Sequence, residues 1–105
     1  MVAVECALAK AQGACGVIPA DAAETISAAL KDFVPDLTAI GAGTDSAGVP
    51  VPALVAQLRN KVGGDAAGYV HFGGTSQDII DTALALVLRD VLDDFEAQLG
   101  HIIAS

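Results

Sequence analysis

A chain of 105 residues with 53% hydrophobic and 17% charged side chains has material for one modest core and is too apolar for intrinsic disorder. Its net charge of −8 sets 13 acidic residues against five Lys and Arg, which excludes a nucleic-acid surface built on a basic patch. The apolar excess over what so short a chain can bury points to a partner surface, an oligomer or further chain.

In chain order, the first segment is VAVECALAKAQGACG, Val2 to Gly16. It is alanine-rich and helical by propensity, with Gly16 and Pro19 supplying the stop. It opens without a cap or lead-in, so a truncated start is expected. Cys6 and Cys15 stand nine residues apart on this helix, about 180° from each other at 3.6 residues per turn, and so do not pair. Without metal-ligand spacing or a basic-then-apolar leader, buried reduced thiols in a cytoplasmic protein are expected.

The next segment, PADAAETISAALKDF, offers Asp21 as an N-cap and Glu24 as its capping-box partner. Ile26, Ala29, Leu30 and Phe33 follow at helical spacing, and Pro35 ends the helix. DLTAIGAG reads as one or two further turns before the loop TDSAGVPVP. Residues 53–62 read as the next helix, with Pro52 in its first turn and Gly63-Gly64 at its end.

From Ser76 or Gln77 onward there is no proline and one glycine, and apolar residues recur at 80, 84, 87, 91, 95, 99 and 102. That spacing predicts a helix of about 28 residues, roughly 40 Å long. Leu88, Leu92, Phe95 and Leu99 widen its apolar surface beyond one face, as in a helix surrounded by others. No strand-like alternation and no repeat occurs, so the fold class is all-α. No apolar run reaches the roughly 18 residues needed to span a membrane.

Between the short helices and the long one lies YVHFGGTSQDIID, Tyr69 to Asp81, which carries more polar chemistry than a turn requires. Thr75 and Asp78 fit a capping box, with Ser76 as an alternative cap. Gly73 and Gly74 let the backbone approach a ligand or take positive φ. A helix N-terminus offers unpaired N–H groups to an anion. With the Thr75 and Ser76 hydroxyls and the Gln77 amide, this makes a cradle for a carboxylate, and His71 can donate to the same anion or carry a proton.

Other readings of these residues carry less. Ser76, His71 and Asp78 do not make a hydrolase triad, because closeness in sequence supplies neither the elbow turn nor the ordered base. Arg59 and Lys61 can assist an anion, although two basic side chains on one helix read first as a solvated pair. His101 near a helix C-terminus is accounted for by the helix dipole. Asp90, Asp93, Asp94 and Glu96 lack calcium-loop spacing and read as a solvated face. With no phosphate loop, nucleotide fingerprint or metal constellation, neither cofactor nor metal is expected.

VHFGGTSQDIIDTAL resembles the first signature region of the fumarase/aspartase superfamily, H-x-G-x-T-S-x-D. His71, Gly73, Thr75, Ser76 and Asp78 match it, with Asp81 and Thr82 following in phase. Gln77 within TSQD, GVPVPALVAQLR, and VECALAKAQGACGVIP near the start resemble its muconate cycloisomerase branch; the adenylosuccinate lyase branch shares the core pattern and stands as the alternative. Gly74 occupies a position where many relatives carry alanine or leucine.

The resemblance implies a homotetramer of long helices whose active sites draw on three subunits, working in aromatic catabolism on a small di- or tricarboxylate substrate. Thr75 and Ser76 would hold a substrate carboxylate, Gln77 would help select the substrate, and His71 would line the same pocket. Gly73, Gly74 and Asp78 would support the turn. Residues 1–75 would form an N-terminal helical domain and 76–105 the first long helix of the central bundle, the surface through which copies associate. The implied reaction is reversible: a carboxylate adds across a double bond and a proton goes to the neighbouring carbon. The family's later Thr-His region and its serine-bearing mobile loop do not occur here, so a fragment without an identifiable base, inactive alone, is expected. Outside the family, a stand-alone helical interaction module is the remaining alternative.

Overall fold

The computed structural model describes all 105 residues as α-helices α1 (Val2–Ala14), α2 (Ala20–Leu30), α3 (Leu37–Ala47), α4 (Val51–Val62) and α5 (Ser76–Ala104), with a 3-10 helix at Asp65–Tyr69. No strand is present, so the chain is all-α as its patterning predicts. The core lies where α2 and α4 face each other. Ala22, Ala23, Ile26 and Leu30 recur at helical spacing on one, and Val51, Leu54, Val55 and Leu58 on the other. Ile18, Val70 and Ile79 close this core from the loops and from the start of α5. A Cβ on Gly13 would collide with that of Ala23, so α1 crosses α2 at backbone distance.

Four boundaries differ from the sequence expectation, one of them the end of α2, which falls at Leu30 and leaves Phe33 outside the helix, short of Pro35. Pro19, at φ −57° and ψ 139°, is the N-cap of α2, and the helix starts at Ala20. Asp21 therefore lies inside the first turn, where its carboxylate accepts from Ala22 N at 2.9 Å, and Glu24 forms no capping box. The proline fixes φ for the helix entry two residues before the acidic cap signal.

The segment after Pro35 is about three turns rather than one or two. Asp36 caps it by accepting from Ala39 N at 3.1 Å. Gln57 on α4 both accepts from Asp36 N at 2.9 Å and donates to Asp36 O at 3.0 Å, pinning the helix start. Thr44, expected in a loop, is helical and satisfies its hydroxyl by donating to Ile40 O, and Gly48 ends the helix at φ 81°. Helix α4 likewise begins at Val51 rather than 53, with Pro52 in its first turn as expected.

The thiols also differ from expectation: Cys6 is half-buried and Cys15 is exposed, both free. Cys15 is the C-cap residue of α1.

Helix α5 matches its prediction in both start and length. Thr75 is the N-cap, and both arms of the capping box are made. Only Ile79 of this helix is buried, and its remaining turns project from the body, giving extents of 58 × 35 × 23 Å. The radius of gyration is 16.7 Å, against about 13 Å for a compact chain of this length. No helix is long and apolar enough to cross a membrane.

Candidate functional site

The loop from Val70 to Thr75 is held from three directions. Val70 is buried, and its carbonyl accepts from the Arg59 guanidinium of α4 at 3.2 Å. The Phe72 carbonyl accepts from Gln12 Nε2 of α1 at 2.6 Å. On the α5 side, Thr75 N donates to Asp78 Oδ2 at 2.9 Å and Asp78 N donates to Thr75 Oγ1 at 3.4 Å. Between these ties the backbone turns through two left-handed residues, Gly73 at φ 71° and His71 at φ 59°. Glycine takes that conformation freely, whereas a histidine needs its surroundings to hold it there.

Glu5 of α1 supplies that hold. Its carboxylate lies 2.7 Å from His71 Nδ1, across 66 residues of sequence. Glu5 is the one buried charged residue of the chain. Burying an unpaired carboxylate is strongly unfavourable, so the pair fixes α1 and the loop together.

His71 borders a cavity of about 290 Å³ together with Arg59 and Ser76, backed by Val51 and Val55. That is near the lower end of small-molecule pockets, roughly 300 to 1,000 Å³. Its polar groups suit an anion: a guanidinium is a permanent cation with a planar set of donors, and α5 begins at Ser76 with the positive end of its dipole.

The residues singled out from sequence divide between this cavity and the turn that builds it. His71 and Ser76 come together at the cavity. The Thr75 oxygen is occupied as acceptor of the Asp78 amide, leaving its O–H free to donate. Gln77 is exposed, away from the cavity lining, with its amide on Asp81 Oδ1 at 2.6 Å. Gly73, Gly74 and Asp78 line a second cavity, on which Gln12 and Thr82 also border. Arg59, one of the two basic side chains read from sequence as able to assist an anion, lines the cavity. One contributor escaped the sequence reading. Glu5 was passed over, although a lone acid four residues before the buried Ala9, on an alanine-rich helix, marks a charge turned inward.

No family model matches the chain. Against solved structures, the fumarate lyase from Mesorhizobium sp. BNC1 superposes with a TM-score of 0.81 and 45% identity, over 85% of this chain and 21% of that one. The chain is fumarate lyase-like in both fold and sequence. Among curated proteins, a 3-carboxy-cis,cis-muconate cycloisomerase of Bradyrhizobium diazoefficiens is 43% identical over 98% of this chain and 24% of its own length. The Pseudomonas putida cycloisomerase is 41% identical over 97% of this chain and 25% of its own length. An adenylosuccinate lyase of Methanothermobacter thermautotrophicus is 39% identical over 98% of this chain and 23% of its own length. This fumarate lyase-like chain therefore spans about a quarter of the length of the curated relatives it matches.

Proposed function

We propose that the chain forms one wall of the substrate site in an enzyme that converts 3-carboxy-cis,cis-muconate to carboxymuconolactone. One carboxylate of the substrate adds across a double bond, and a proton is delivered to the neighbouring carbon. The observation that carries this reading is the gathering of Arg59, His71 and Ser76 around one cavity, in a chain 43% identical to a cycloisomerase of that name. Fixed donors aimed at the carboxylate conjugated with the double bond orient the substrate and stabilise the negative charge that passes onto that group as the other carboxylate adds.

In this reading Arg59, Ser76 and the first N–H groups of α5 bind a carboxylate, and the free Thr75 O–H adds a donor. Gln77, one residue further along α5, helps select the substrate from its pairing with Asp81. Gly73, Gly74 and Asp78 shape the turn. The proton-transferring base lies on other chain, brought by a homotetramer that covers the apolar length of α5. By itself the 105-residue chain does not turn over substrate. Addition of a carboxylate and a proton balances without an electron acceptor, so the reaction calls on no redox cofactor.

The similarity to adenylosuccinate lyases, 39% in one archaeal enzyme, supports a second reading as a β-elimination enzyme on the same carboxylate wall. A substrate panel on the complete enzyme separates the two. Loss of the carboxymuconate absorbance, with adenylosuccinate untouched, is expected; the opposite pattern assigns the lyase reaction instead. An enzyme inert to both, yet assembled, leaves the helical interaction module.

A further inference from the structure

We infer that Glu5 is a positioning residue for the site: it holds the His71 imidazole with Nδ1 as donor, leaving Nε2 as the ring nitrogen available to a ligand in the Arg59–Ser76 cavity. This deepens the carboxylate-site reading, on which its use by a substrate rests. The side chain of Glu5 is 1% exposed, and His71 is its sole hydrogen-bond partner in the chain, at 2.7 Å from Oε1. A carboxylate can only accept here, so the neutral ring must present its proton from Nδ1. The partner on Nδ1 decides which face of histidine chemistry the other nitrogen offers.

Packing alone does not explain an acid at this position. Helix α1 is alanine-rich, with five alanines among its 13 residues, and Ala9, one turn on, fills the same buried face with a methyl group. The acid is instead matched to a residue held at φ 59°, a conformation that a free histidine loop would seldom keep. Gly74 lies against the Cε1 and Nδ1 edge of the ring, where an added Cβ would come to 3.5 and 3.6 Å, so the ring is bounded on that side as well. The imidazole is thus fixed in place, in backbone and in tautomer, before any ligand arrives.

The test uses the 105-residue chain labelled with ¹⁵N and a long-range ¹H–¹⁵N correlation of the His71 ring, in mildly alkaline buffer on the neutral imidazole. The native chain is expected to show the Nδ1–H tautomer. Glu5→Gln, which keeps the shape and removes the charge, is expected to lose that pattern in favour of a mixture, with an unchanged helical circular dichroism spectrum. A native ring protonated on Nε2, or an E5Q ring that keeps the Nδ1–H pattern, overturns the inference. Should E5Q fail to fold, the native tautomer decides alone. Tricarballylate, a saturated tricarboxylate, is titrated in parallel. If it moves no signal of His71, Ser76 or Arg59 while the tautomer results hold, the carboxylate reading falls and the role of Glu5 stands.

Discussion

Two neighbouring glycines in the turn do different work. Gly73 sits at φ 71°, in the left-handed region, and Gly74 does not. A Cβ on Gly74 would meet the His71 ring at 3.5 Å and Leu8 Cδ2 at 3.7 Å, which is ordinary contact. Gly74→Ala is therefore expected to stabilise by about 0.4 to 1 kcal/mol through the unfolded chain. Gly73→Ala is expected to destabilise by about 1 to 2 kcal/mol from the left-handed backbone. Urea denaturation midpoints of the two variants, moving in opposite directions, check this. The motif HFGGTSQD was readable as a polar turn before a helix because its capping chemistry is local. The second left-handed residue, His71, was not, because what holds it there is Glu5, 66 residues away.

Among the elements, α5 was legible to within a residue: an uninterrupted apolar period follows a complete capping box. Helices α2 and α3 were misplaced at their ends for two different reasons. At α2, two local signals competed, and the fixed φ of Pro19 prevailed over the side chain of Asp21. At α3, TDSA consists mainly of weak helix formers, and the helix is carried through it beside a contact the sequence does not reveal, Gly43 packed directly on Ala53 of α4. The α1–α2 crossing is a similar tertiary feature. Because Gly13 faces Ala23 with no room for a second methyl, Gly13→Ala is expected to cost about 1 to 3 kcal/mol by overpacking. A lowered thermal midpoint checks it; an unchanged or raised midpoint, as an exposed helical Gly→Ala would give, contradicts so close a crossing.

For the whole molecule, the decisive surface is the projecting part of α5. Leu88, Leu92, Phe95, Leu99 and Ile102 are each at least half exposed, at 50%, 62%, 54%, 58% and 68%. Contiguous apolar surface of this kind drives association. The chain is expected to self-associate in sedimentation velocity, and the double variant Leu92→Glu with Leu99→Glu is expected to shift it to monomer with its helical content kept. A native chain that stays monomeric at high concentration would remove self-association as the cover for α5.

What the sequence by itself determined is whatever depends on near neighbours: the all-α class, the start and span of α5, the polar turn from His71 to Asp78, and the apolar stripe that outruns the core. Helix period, capping and turn chemistry act over a few residues and can be read there. Only the tertiary structure decided that Arg59 joins His71 and Ser76 at one cavity and that Glu5 lies beneath the histidine. Those placements follow from how α1, α4 and α5 pack against one another, and such packing joins residues whose separation in the chain carries no local signal.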